Sequence, residues 1–252
     1  MNKKQILLIV ILAVTLLIFN MGFQPQTAYA FPSISVDVGE SEGPEDFSTS
    51  LQILFLLTIL SLAPAILILM TSFTRTVIVL SFVRNGLATQ QMPPNQVLVG
   101  LALFLTFFVM APVWGEVNES ALQPYLEGEM EQDEALETAM DPIRQFMFDQ
   151  TGEKEIALFI NFSEIEEVSE PSEVPTYILV PAFAISELKT AFTIGFIIYI
   201  PFLVIDMVVA STLMSMGMMM LPPVMISLPF KVLLFVLADG WNLVINSLLH
   251  SF

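Results

Sequence analysis

Five ionisable side chains, Glu187, Lys189, Asp206, Lys231 and Asp239, stand in sequence that is otherwise almost wholly apolar. At a bilayer centre an unpaired Asp or Lys costs roughly 2.5–3.5 kcal/mol, so each must face protein or water. Three roles suit such groups: structural ion pairs, the lining of a pore, or a proton relay of the kind transporters use. Structural pairing is the reading adopted for Glu187, Asp206 and Lys231, and spacing allows one pair. With a turn centred on Met219, Asp206 lies thirteen residues before it and Lys231 twelve after. In ideal helices those are depths of roughly 20 Å and 18 Å, so the two charges reach the same level. The turn itself is Met-rich, and Pro222, Pro223 and Pro229 predict a broken helix there. Broken backbone at membrane depth survives only where protein or a water-filled cavity satisfies it. The stretch therefore reads as part of a conduit.

Other chemistry finds little support. The chain has no cysteine, and its one histidine, His250, is given no catalytic role. No phosphate-cradling G-x-x-x-x-G-K-[ST], nucleophile elbow or H-E-x-x-H occurs. The chain is read as a non-enzyme with no cofactor and no metal, whose transport energy comes from partners or the membrane potential. A net charge of −17 makes nucleic acid an improbable partner.

The elements that hold these residues are membrane helices. Hydrophobic residues make up 55% of the chain and charged ones 13%, against ~25% charged in soluble domains. Residues 1–30 read as a cleaved signal: Lys3 and Lys4, an apolar centre over 6–19, and Ala28 and Ala30 flanking Tyr29 as the A-x-A site. An acidic lead follows over 31–50. Residues 51–115 form a first apolar hairpin, its first helix bent or interrupted near Pro64 and its second closed by Trp114. Arg75 and Arg84, with no acid before Glu116, mark the loop between them as cytoplasmic and act as orientation determinants. Residues 116–175 are acidic and lie outside, as two or three amphipathic helices, one of them opened by Asp141 as N-cap with Pro142 at the first helical position. The run over 164–170 is a loop. Residues 176–252 form the second apolar hairpin around the Met turn. The expected fold is an all-α membrane protein of broken apolar hairpins plus a small extracytoplasmic helical segment.

The wording of several blocks resembles a known family. LMTSFTRTVIVLSFVRN (69–85), QQMPPNQ (90–96), VPAFAISELKTAF (180–192), FLVIDMVVAS (202–211) and MSMGMMMLPPVMISLPFK (214–231) are similar to the flagellar biosynthetic protein family FliP. The resemblance implies a subunit of the flagellar type III export gate. Copies of the chain, a pentamer by that likeness, would join FliQ, FliR, FlhB and FlhA in a helical pore for unfolded export substrates. It further implies that Met218, Met219 and Met220 face the pore as a gasket, and that Glu187 pairs with Lys231, in competition with the Asp206 pairing. Methionine suits a gasket because it is unbranched, apolar and adaptable. Two other functions compete: a scaffold that nucleates the gate, and an ion-coupled transporter of small solutes.

Overall fold

The computed structural model describes residues 44–89, 91–163, 174–218 and 220–252. The expected signal with Ala28 and Ala30, most of the acidic lead, the 164–170 run and Met219 lie outside the described residues. Every regular element among the described residues is helical. The chain divides into two units after Leu54, and all that follows about packing concerns the second, Phe55–Phe252.

Helix α1, Pro44–Met70, carries Pro64 in its interior and is not interrupted there. It ends instead at Thr71 and Ser72. The hydroxyl of Thr71 takes the Leu67 carbonyl and that of Thr74 takes the Ile68 carbonyl, and such side-chain bonds compete with continued helix. The stretch expected as a cytoplasmic loop is itself a helix, α2, Phe73–Gly86. Its buried Phe73, Thr76, Val79, Leu80 and Val83 recur at three- and four-residue spacing, the pattern of a packed face. Helix α3, Asn95–Val109, returns beside α2 and bends by 52° into Ala111–Glu127. That second arm is α4, Ala111–Val117, a π-helical turn over Asn118–Leu122, and α5, Gln123–Glu127.

Two amphipathic helices follow, α6, Gln132–Asp149, and α7, Glu153–Phe162. Pro142 does not open a helix as expected; it sits inside α6, whose start is set by Asp133 and Glu134 in the first turn, where acids favour the positive end of the helix dipole. Helix α8, Thr176–Ser215, is unbroken over 40 residues despite Pro181 and Pro201, ~60 Å of helix where a bilayer core is ~30 Å thick. Helix α9, Pro223–Leu237, starts on the proline pair, with Pro222 as N-cap and Pro223 at the first position, but it continues through Pro229. A 64° bend at Ala238 and Asp239 leads to α10, Gly240–Leu249.

Two of these helices are long and apolar enough to cross a membrane, or up to four spans if each bent pair is counted as one. The larger core forms where α2 lies along α8. Arg75 meets Glu187, Phe82 stacks edge-on with Phe192, and Gly86 meets Phe202, so the two helices run parallel. Glycine is required at both close approaches: a Cβ on Gly195 would collide with the Phe82 ring, and one on Gly86 would stand 2.5 Å from the Phe202 ring. The smaller core joins Met147 of α6 and Ile156 of α7 to Ile178, Leu179, Ala182 and Phe183 at the start of α8.

Candidate functional site

The Met turn is built by glycine and proline. Helix α8 closes on Met216, and Gly217 takes φ 77°, a conformation that costs glycine nothing for want of a Cβ. The Met218 N–H then donates to the Leu213 carbonyl at 2.9 Å and the Gly217 N–H to the Met214 carbonyl at 3.0 Å. These two bonds form a Schellman cap, which satisfies the last carbonyls of the helix and turns the chain out of it. Pro222 and Pro223 restart it, because a proline at the first helical position lacks only a donor that would go unused. What the turn presents is apolar: Met220 is 98% exposed and Met218 45%.

Behind the turn the two arms are stapled. Lys231 Nζ donates to Asp206 Oδ2 at 2.6 Å, and the Ser227 hydroxyl donates to Asp206 Oδ1. Ser227 and Lys231 are four residues apart on α9 and so share one face, and that face meets α8. Both are buried, whereas the Asp206 side chain keeps 27% exposure. The Glu187–Lys231 pairing implied by resemblance is not formed in the chain. Glu187 and Asp206 lie nineteen residues apart on one helix, ~28 Å along the axis, so a lysine against Asp206 is far out of reach of Glu187.

Glu187 pairs instead with Arg75. The Arg75 guanidinium grips the carboxylate with two donors, Nε to Oε2 at 3.0 Å and Nη2 to Oε1. Nη2 also donates to Gln150 Oε1 at 3.0 Å, and Nη1 donates to the carbonyl and hydroxyl of Ser251. The Phe252 ring lies 4.0 Å from the guanidinium carbon, and Gln150 Nε2 donates to a main-chain oxygen of Phe252 at 3.0 Å. Arg75 is 2% exposed and Glu187 fully buried. Arg75 is therefore a buried pairing partner, not a solvated loop charge, and the rule that counts loop cations does not apply to it. Since Gln150 caps α6 of the acidic segment, Arg75 lies level with the end of that segment. A cytoplasmic Arg75 and an outer acidic segment exclude one another. Arg84, on the same helix, is half-buried, and its Nε has no hydrogen-bond partner.

Two further charges are accounted for. Lys189 on α8 donates to Glu155 on α7 at 2.7 Å, and this bond holds the Glu155 carboxyl below its ordinary value of 4.5. Asp239 marks the bend between α9 and α10 and accepts a bond from Asn242. Among the described residues no group of His, Asp or Glu side chains is gathered to hold a metal ion. Sequence reading missed Gln150, Ser251 and Phe252. Neither an amide nor a backbone carbonyl carries a motif, and the usable signal was an arginine in an apolar run with no acid nearby, which must find a distant partner.

The comparisons agree with the resemblance. The model of the FliP family matches residues 56–248. The flagellar biosynthetic protein FliP of Bacillus subtilis is 61% identical over 217 residues, 86% of this chain and 98% of that protein. The FliP of Aquifex aeolicus is 47% identical over 242 residues, 95% of this chain and 98% of its own length. That of Pectobacterium carotovorum is 54% identical over 210 residues, 83% of this chain and 81% of that protein. With the match running from the middle of α1 to the end of α10, the chain belongs to the FliP family.

Proposed function

We propose that this chain is a core channel subunit of the flagellar type III protein export gate, and that the Met218–Met220 turn closes the pore to small solutes while yielding to an unfolded polypeptide. One observation carries the reading: an apolar, largely exposed methionine tip stands on a hairpin braced by a half-buried ion pair. A flexible thioether side chain adapts to whatever fills the ring, and an apolar constriction resists ions by dewetting. The curated relatives are named flagellar biosynthetic proteins, and two helices of this chain have the length and apolarity for a membrane.

In this reading several copies, a pentamer, assemble with FliQ, FliR, FlhB and FlhA in the cytoplasmic membrane at the flagellar base. Residues 1–30 are removed as a signal, 116–175 face outward, and the two apolar hairpins build the wall. A proton relay through Asp206 is disfavoured, because both its oxygens are already engaged by Ser227 and Lys231. The test is cross-linking in a chain that has no native cysteine. Met220→Cys in the assembled gate should be joined between copies by a short bifunctional maleimide. If the cysteine reacts only with reagents dissolved in lipid and never joins copies, the turn lies on the circumference and the reading fails.

A further inference from the structure

We infer that Ser251 and Phe252 form a latch that closes over the Arg75–Glu187 pair and ties three separate segments of the chain together. The geometry leaves the pair incomplete without them. Arg75 has five N–H donors; three are turned to Glu187 and Gln150, and Nη1 finds its acceptors on Ser251 alone. The open face of the guanidinium is covered by the Phe252 ring at 4.0 Å. A planar, weakly hydrated guanidinium can stack on an aromatic face while its edge donates hydrogen bonds. Gln150 completes the circuit by accepting from Arg75 and donating to a main-chain oxygen of Phe252 at 3.0 Å.

The four participants come from distant parts of the chain: the first turn of α2, the C-cap of α6, the first third of α8, and the residues after α10. Gln150 is itself held, since its carbonyl accepts from the Ser186 hydroxyl at 3.1 Å. The contact is therefore made only once both hairpins and the acidic helix have packed together. A buried charge with unmet donors is costly. An open latch would expose that cost, so a closed latch marks a chain in which these segments have packed together. Its contribution is conformational, and it does not depend on the Met turn at the other end of α8.

The test reads the latch directly. Ser251→Cys gives one thiol in a chain without others, and its reaction rate with a polar maleimide measures opening in the detergent-solubilised full chain. Gln150→Leu removes no charge and leaves the Arg75–Glu187 pair in place, so it serves even where charge variants fail to fold. In that background labelling should be roughly tenfold faster, the change expected when hydrogen bonds to a charged group and its neighbour are lost. Arg75→Met/Glu187→Met, which replaces the pair by apolar side chains, should fold with normal helix content and yet label faster still. An unchanged rate in Gln150→Leu overturns the latch, as does a double variant that is helical and labels like the parent.

Discussion

Helix α8 ends in two opposite ways. Near its start Glu187 is fully buried, and Arg75, Gln150, Ser251 and Phe252 close around it from three directions. At its far end Gly217 turns the chain outward and Met220 stands 98% exposed. The root has the Arg75 guanidinium and the Glu187 carboxylate matched within one chain. The tip leaves apolar surface unmatched, and water is a poor environment for it, at roughly 25 cal/mol per Å². A subunit that is finished at one end and unfinished at the other is built to be rigid where it hangs together and adaptable where it meets something else. Substitutions at the root should therefore cost stability, and substitutions at the tip should cost sealing.

The largest stability effect falls at the root. Arg75→Met strands a fully buried Glu187 and should destabilise the subunit by about 3–5 kcal/mol, read by chemical unfolding in detergent micelles. Most of that loss should be recovered in Arg75→Met/Glu187→Met, because the pair is worth little against an apolar replacement while a lone buried charge is expensive. The staple below the root is second. Lys231→Met removes the partner of Asp206, but that side chain is 27% exposed and keeps its bond from Ser227. Water can therefore share the charge, and the expected cost is smaller, about 2 kcal/mol.

Smallest is the exposed tie between α7 and α8. Glu155 has a lowered pKa, chiefly from the Lys189 hydrogen bond, so its folded form binds a proton less readily than the unfolded one. Its contribution is complete above the ordinary value of 4.5 and is lost as pH falls through the lower folded value. Lys189→Ala should lower the thermal midpoint slightly at pH 7 and by less at pH 3. An equal shift at both pH values would mean that Lys189 acts by packing alone.

The contrast between root and tip also explains what could be read in advance. The tip is local: a methionine run, one glycine and a proline pair lie within ten residues, and each has a fixed backbone meaning. The Asp206–Lys231 pairing was legible for the same reason, since two arms of one hairpin place charges by counting. The root was not legible. Arg75 and Glu187 are 112 residues apart, and no count along the chain brings them together. The loop expected at 75–84 is a helix because its apolar residues repeat at helical spacing, a pattern that the two arginines obscured. Pro142 and Pro229 were overweighted: each sits inside a helix, where the remaining turns and packed neighbours hold the backbone on either side of one missing donor.

What the methionine tip does in the assembled gate decides whether this chain is a channel subunit. The direct measurement is the permeability of cell membranes to a small polar dye when the gate is assembled from Met218→Ala/Met219→Ala/Met220→Ala subunits. Leak of the dye, with subunit stability and gate assembly unchanged, is the predicted result. A membrane as tight as the parent's, around gates that still form, would contradict it.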